Sequence, residues 1–182
     1  MSLGNTERQF GPVARALHWL SALLVVAAIG LIESHDFFEK GSSARSLTAI
    51  LHMQAGALVL VLTLPRLFWR FTQVLPSITP PPPAWQNGLA HAMHFVFYAL
   101  LLALPLSGIA MRQAHGDVVT LLGVSLPALI APNDDLHETL ESLHELMGNA
   151  MILLVLAHVA AAVVHHRIQR DDTLTRMLPP RR

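Results

Sequence analysis

Eleven histidines stand in a chain of 182 residues that has one tyrosine and no cysteine. Two of them, His144 and His158, lie 14 residues apart on its last long apolar stretch. Fourteen steps of 100° make four helical turns less about 40°, so both imidazoles share one stripe, about 21 Å apart along the axis. Two buried nitrogen donors at different depths of one span predict two stacked metal centres. Haem iron suits them, because imidazole ligates it well and a flat macrocycle fills the space between helices. The lack of cysteine removes thiolate ligation, iron–sulfur clusters, disulfides and covalent c-type haem together.

The elements that must hold such centres are membrane spans. Hydrophobic residues make up 53% of the chain and charged ones 13%, with a mean hydropathy of +0.48. Soluble domains carry nearer a quarter charged residues. A formal net charge of zero argues against a nucleic-acid partner. Four apolar runs, at about residues 13–32, 45–69, 89–111 and 143–166, each meet the roughly 20 residues needed to cross a bilayer. The predicted fold class is all-α: an integral membrane four-helix bundle forming one domain over residues 1–182. The first run contains Arg15 and His18, and no small-residue cleavage pattern follows, so it is read as a retained span. Pro76 and Pro80 to Pro83 predict a stiff extended connector. Asp117 to Ser142 reads as a loop whose apolar piece, residues 118–130, lies in the interface, and no segment reads as strand.

Basic residues orient the bundle. Arg8, Arg15, Arg66, Arg70, Arg167, Arg170, Arg176, Arg181 and Arg182 fall at the termini and the second connection, leaving Lys40, Arg45 and Arg112 for the opposite face. The positive-inside rule then puts both termini in the cytoplasm. Depth follows from that orientation. His18 on helix 1 and His158 on helix 4 are inner; His52 on helix 2 and His144 on helix 4 are outer. The predicted pairs are His18 with His158 and His52 with His144. His91 and His94 compete for the inner site, and His137 for the outer one.

Neighbour size separates the competitors, since a macrocycle packed on a helix needs a small residue one turn from its ligand. Four residues after His18, His52, His144 and His158 come Ala22, Gly56, Gly148 and Ala162. Four after His91, His94, His137, His165 and His166 come Phe95, Tyr98, Glu141, Gln169 and Arg170. For His91, His94, His137 and His166 an interfacial or hydrogen-bonding role is the better account. A histidine-based metal transporter is the rival to haem. It lacks carboxylates clustered with these histidines inside the membrane; Pro105 has no ionisable neighbour, and Arg66 beside Pro65 belongs to the inner end of its span and not to mid-depth.

Arg15-Ala16-Leu17-His18-Trp19, the 14-residue histidine spacing of helix 4 and the tail Asp171-Asp172-Thr173-Leu174-Thr175-Arg176-Met177-Leu178-Pro179 together resemble the bacterial di-haem cytochrome b561 family. The likeness runs over nearly the whole chain. One position departs: an aromatic commonly precedes the glycine of the outer loop, and here Leu122 precedes Gly123. The resemblance implies a bacterial inner-membrane protein of four transmembrane helices holding two haem b groups, with His18, His158, His52 and His144 as axial ligands. It also implies electron transfer between the outer face and the quinone pool, with superoxide oxidised to dioxygen and ubiquinone reduced.

Inner-end chemistry requires a proton-supplying group for a quinone. His165, one heptad beyond His158, is the candidate, with Arg15 and Arg66 as further quinone candidates. Trp19 and Arg70 could share that mouth, although interfacial anchoring explains them as well. At the outer end nine acids face three bases, a field that repels an anion such as superoxide. Lys40, Arg45 and Arg112 would have to form a local cationic mouth, effective within a Debye length of about 8 Å. Two alternatives remain: a haem b relay or anchor subunit of a larger membrane dehydrogenase or hydrogenase, served by a redox protein, and the metal transporter.

Overall fold

The computed structural model describes residues 3–179; Arg181 and Arg182 lie outside them. Four long helices carry the fold: α1 (Pro12–Ser34), α2 (Ser43–Thr72), α3 (Ala84–Ala114) and α4 (Asp134–Val164). All four are long and apolar enough to cross a membrane. Their starts follow local chemistry. Pro12 opens α1, where its missing N–H costs nothing. The Ser42 side chain caps α2 by accepting from the Arg45 N–H at 3.2 Å. The proline connector ends at Pro83, and α3 begins directly after it.

α4 starts at Asp134, nine residues before the expected 143. Residues 134–142, read above as loop, are helical. Asn133 caps this end, its side chain accepting from the Leu136 N–H at 2.8 Å, and Asp134 and Asp135 complement the positive end of the helix dipole. Thirty-one residues span about 46 Å, against about 30 Å of hydrocarbon, so α4 extends well past the bilayer core. A search for apolar length stops at the membrane; the helix does not.

The outer loop also differs from expectation. β1 (Thr120–Leu121) and β2 (Val124–Ser125) form a small antiparallel hairpin with Thr120 opposite Ser125 and Leu121 opposite Val124. Leu122 and Gly123 turn it with φ of 51° and 82°, the double positive-φ geometry of a two-residue hairpin turn. Leucine is a poor residue for that position, which hid the turn from sequence. Gln54 of α2 grips the hairpin, donating to the Thr120 carbonyl at 2.9 Å and accepting from the Leu122 N–H at 2.7 Å.

α1 packs mainly on α2 and α3 mainly on α4, while α2 against α3 joins the pairs. A buried apolar cluster of Val59, Leu100, Leu101 and Met151 fills the centre. Met151 stands seven residues from both His144 and His158, so this plug lies midway between the two histidine levels.

Past α4 the chain makes a π turn, His165–Gln169, closed by Arg170 at φ 56°. The tail then folds back over the mouth of the bundle. Asp172 accepts from the Thr79 N–H at 2.9 Å, and the buried Arg176 donates to the Pro76 carbonyl and sits 5.6 Å from the centre of the Phe10 ring. Trp19 Nε1 donates to the Met177 carbonyl at 2.9 Å. Arg176→Ala should free the tail at a cost of about 1–3 kcal/mol. Faster proteolysis after residue 170 in detergent, with the four helices still protected, is the expected outcome; an unchanged cleavage rate would refute the latch.

Candidate cofactor-binding site

The four predicted ligands converge in two pairs. His52 of α2 and His144 of α4 have ring centres 6.2 Å apart. His18 of α1 and His158 of α4 stand 6.3 Å apart. A metal–imidazole bond of about 2.1 Å, plus about 1.1 Å from nitrogen to ring centre, separates two trans imidazoles by about 6 Å. His94 of α3 is a third inner imidazole, 5.9 Å from His158.

Hydrogen bonds fix the tautomers at the outer level. His52 Nδ1 lies 2.9 Å from the Ala28 carbonyl, which can only accept, so Nδ1 carries the proton. His144 Nδ1 lies 2.9 Å from Ser107 Oγ. That hydroxyl donates to the Leu104 carbonyl at 2.9 Å, leaving a lone pair for the imidazole N–H. Both Nε2 atoms keep free lone pairs, the arrangement found in metal-binding histidines.

These rings line a cavity of about 1000 Å³, the upper end of the usual range for small-molecule sites. Gly56 and Gly148 border it, and a Cβ built on either would meet no other atom within 4 Å. Their missing side chains leave flat floor beside each ligand. Gly108 acts differently: a Cβ there would stand 3.3 Å from His144 Cε1, so its absence lets α3 approach the ring. An apolar slot with two free Nε2 donors and glycine floors fits a bis-imidazole haem.

At the inner level His18 Nδ1 lies 2.9 Å from Arg66 Nη2. Guanidinium has no acceptor, so here Nδ1 accepts and the proton sits on Nε2. Coordination through Nε2 needs the other proton arrangement, with Arg66 moved off Nδ1. Arg66 also lies 5.5 Å from the centre of the Tyr98 ring. His94 Nδ1 donates to the Ala90 carbonyl at 2.6 Å and leaves its Nε2 free.

Other candidates are distributed as follows. His165 Nδ1 donates to Asp171 Oδ2 at 2.5 Å, and the Asp171 side chain is only 3% exposed. Thr173 N–H holds its other oxygen at 2.9 Å. Burial alone would push the Asp171 carboxyl up, but the hydrogen bonds from His165 and Thr173 outweigh it and hold the group below its ordinary value. Arg15 donates to the Leu178 carbonyl at 3.0 Å. Trp19 anchors the tail, as described above. The exposed His91 bonds its own helix at Asn87, 2.7 Å. His137 bonds the Met111 carbonyl at 3.1 Å, outside the cavity lining. His166 lies in the π turn.

The outer cations do not form an unopposed mouth. Arg45 and Arg112 line the cavity, but Arg45 pairs with Asp36 at 2.7 Å and Arg112 with Asp117 at 3.0 Å. Lys40 is exposed and does not line it. Among the described residues, no three His, Asp or Glu side chains form a group that could hold a bare metal ion.

Sequence reasoning missed Ser107, Gly108, the Ala28 carbonyl and Asp171. The adjacent Ser107 and Gly108, just after Pro105, were a readable small-residue signal. A backbone carbonyl leaves none, because every residue has one.

The family model for prokaryotic cytochrome b561 matches residues 9–180. "Cytochrome b561 homolog 1" of Escherichia coli strain K12 is 40% identical over 166 residues, 91% of this chain and 94% of that protein. A Yersinia pestis protein named "Probable superoxide oxidase CybB" is 35% identical over 176 residues, 97% and 99% of the two chains. "Cytochrome b561 homolog 2" of Escherichia coli strain K12 is 30% identical over 186 residues, 98% and 95%. With four spans, paired imidazoles and a match over almost its whole length, the chain belongs to the prokaryotic cytochrome b561 family, electron-transferring haem proteins that cross the bacterial inner membrane several times.

Proposed function

We propose that this chain holds two haem b groups, one between His52 and His144 and one between His18 and His158, and carries electrons from the outer face to quinone. The observation that supports it is the pair of imidazole–imidazole separations, 6.2 and 6.3 Å, at two levels of one helix. Bound haem supplies reversible one-electron chemistry at each level. The protein's part is to hold the rings, exclude water between levels with the Met151 plug, and manage protons at the inner end. Both termini are assigned to the cytoplasm, because the basic residues gather at that end.

Superoxide is the donor this reading favours, in line with the printed name of the Yersinia pestis relative. Two superoxide ions lose one electron each to become dioxygen. Ubiquinone gains two electrons and two protons to become ubiquinol. His165 is assigned the inner proton transfer: its Nδ1–H is fixed on Asp171, so Nε2 is the atom that exchanges the proton, and the carboxylate stabilises the cation formed. Arg15 and Arg66 are assigned to the walls of the quinone mouth.

A second reading has its own support. Glu33, Asp36, Glu141 and Glu145 line the outer cavity with only Arg45 and Arg112 to oppose them. Such a surface suits a cationic redox protein better than a small anion, as a relay subunit would require. Quinone reduction by the isolated chain under a superoxide flux supports the first reading. Reduction only with a co-purifying partner supports the second.

Four variants test this reading. His144→Ala should lower the pyridine haemochrome from two haems per chain to one, and an unchanged ratio would sink the outer pairing. Gly148→Leu, which fills the floor beside His144, should lower haem content in the same way while the four helices persist by circular dichroism. His165→Leu should slow quinone reduction by about 100-fold or more, with haem content intact. Asp171→Asn should give a smaller loss of the same kind. Because the Asp171 carboxyl is held below its ordinary value, its contribution is fully present above about pH 4 and fades as pH falls through the lower folded value. The Asp171→Asn defect should therefore be constant between about pH 5 and pH 8; a defect that vanishes within that range would contradict the assignment.

A further inference from the structure

The two levels differ most in what meets the imidazole nitrogens that face away from the paired ring. At the outer level both are donors to neutral oxygens, Ala28 O and Ser107 Oγ, each at 2.9 Å. An imidazole whose N–H is so engaged becomes a stronger electron donor and favours the oxidised, more positive iron. The cavity that holds this pair is also lined by four carboxylates and two arginines, and both arginines are paired with aspartates. Negative charge in a poorly screened region favours the oxidised form again.

At the inner level the sign is reversed. His18 Nδ1 meets a guanidinium, Arg66 Nη2, at 2.9 Å. A fixed cation beside a centre that is more positive when oxidised disfavours oxidation. Coordination through His18 Nε2 needs Arg66 moved off Nδ1, but its backbone keeps the cation on α2 within side-chain reach of the inner pair. The tail carboxylate Asp171 is engaged by His165, and His165 lies seven residues past His158, about 10 Å along the helix. Asp172 faces Arg176 at 3.5 Å.

We infer that these surroundings build a potential difference into the protein, with the inner haem the more readily reduced and Arg66 the residue that sets the gap. The inference rests on the haem assignment proposed above. One electron moves from the outer centre, which is oxidised, to the inner centre, which is reduced, and no bond or proton changes in that step. Arg66 is on this account a tuning residue that acts through the cofactor, in addition to its place in the wall of the quinone mouth.

The test is a spectroelectrochemical titration of the haem-loaded protein in lipid nanodiscs. His144→Ala removes the outer centre, and His158→Ala removes the inner one; His158 is chosen because both His18 and His94 face it. The component left in His144→Ala should have the higher midpoint potential. Arg66→Gln should lower that component and leave the other where it was, while Arg66→Lys keeps it near wild type. Ser107→Ala, which deprives His144 of its acceptor, should raise the outer component. Equal or reversed midpoints in the two single-haem variants would overturn the inference, as would an unmoved inner midpoint in Arg66→Gln with both haems bound. If Arg66→Gln loses the inner haem, the midpoint order and the Ser107→Ala shift decide the matter. A wild-type chain that binds no haem would overturn the haem assignment itself, a result distinct from these.

Discussion

Two imidazoles can grip one metal only when their ring centres stand about 6 Å apart, and the proposed ligation depends on this molecule holding two pairs at that distance. His144 and His158 fix two levels on α4, so α1 and α2 must each deliver a partner at the matching height. The proximity of α1 to α2 and of α3 to α4 leaves a slot between the two pairs. Glycines keep that slot open. Gly56 and Gly148 withhold side chains from its floor, and Gly108 lets α3 come close enough for Ser107 to reach His144.

Between the levels the demands reverse. Electrons can tunnel through packed hydrocarbon, whereas protons and water need a polar path. Val59, Leu100, Leu101 and Met151 supply only apolar side chains. In the proposed orientation an inward electron moves toward the negative side of the membrane, against about 2.3 kcal/mol per 100 mV for a full crossing. An inner centre of higher potential offsets part of that opposing work. The distribution of carboxylates at one end and arginines at the other is thus relevant to energetics as well as to topology.

The fold class and the histidine levels were legible in the sequence because both depend on periodic signals. Span length is set by bilayer thickness, and the histidine stripe by helical pitch. Features that depend on single contacts were not legible. The turn at Leu122 and Gly123 uses a residue that disfavours its backbone conformation, so the hairpin read as loop. The first turns of α4 are polar because they stand in water, and a search for apolar length passed over them, although Asn133, Asp134 and Asp135 are a good start signal. Asp171 belongs to a tail that looked like a family signature, and only the fold shows that it reaches His165. Arg66 was suspected for its position near the inner mouth, but its contact with His18 depends on how α2 is rotated, which no spacing rule supplies.

The returning tail has one further consequence. Trp19 and Arg15, early in α1, hold the carbonyls of Met177 and Leu178, which follow α4. The two helices so joined pack mainly on different neighbours, so the returning segment is a strap across the inner ends of the two helix pairs. Cutting that strap would let those ends spread apart while the outer slot, built above it, kept its shape.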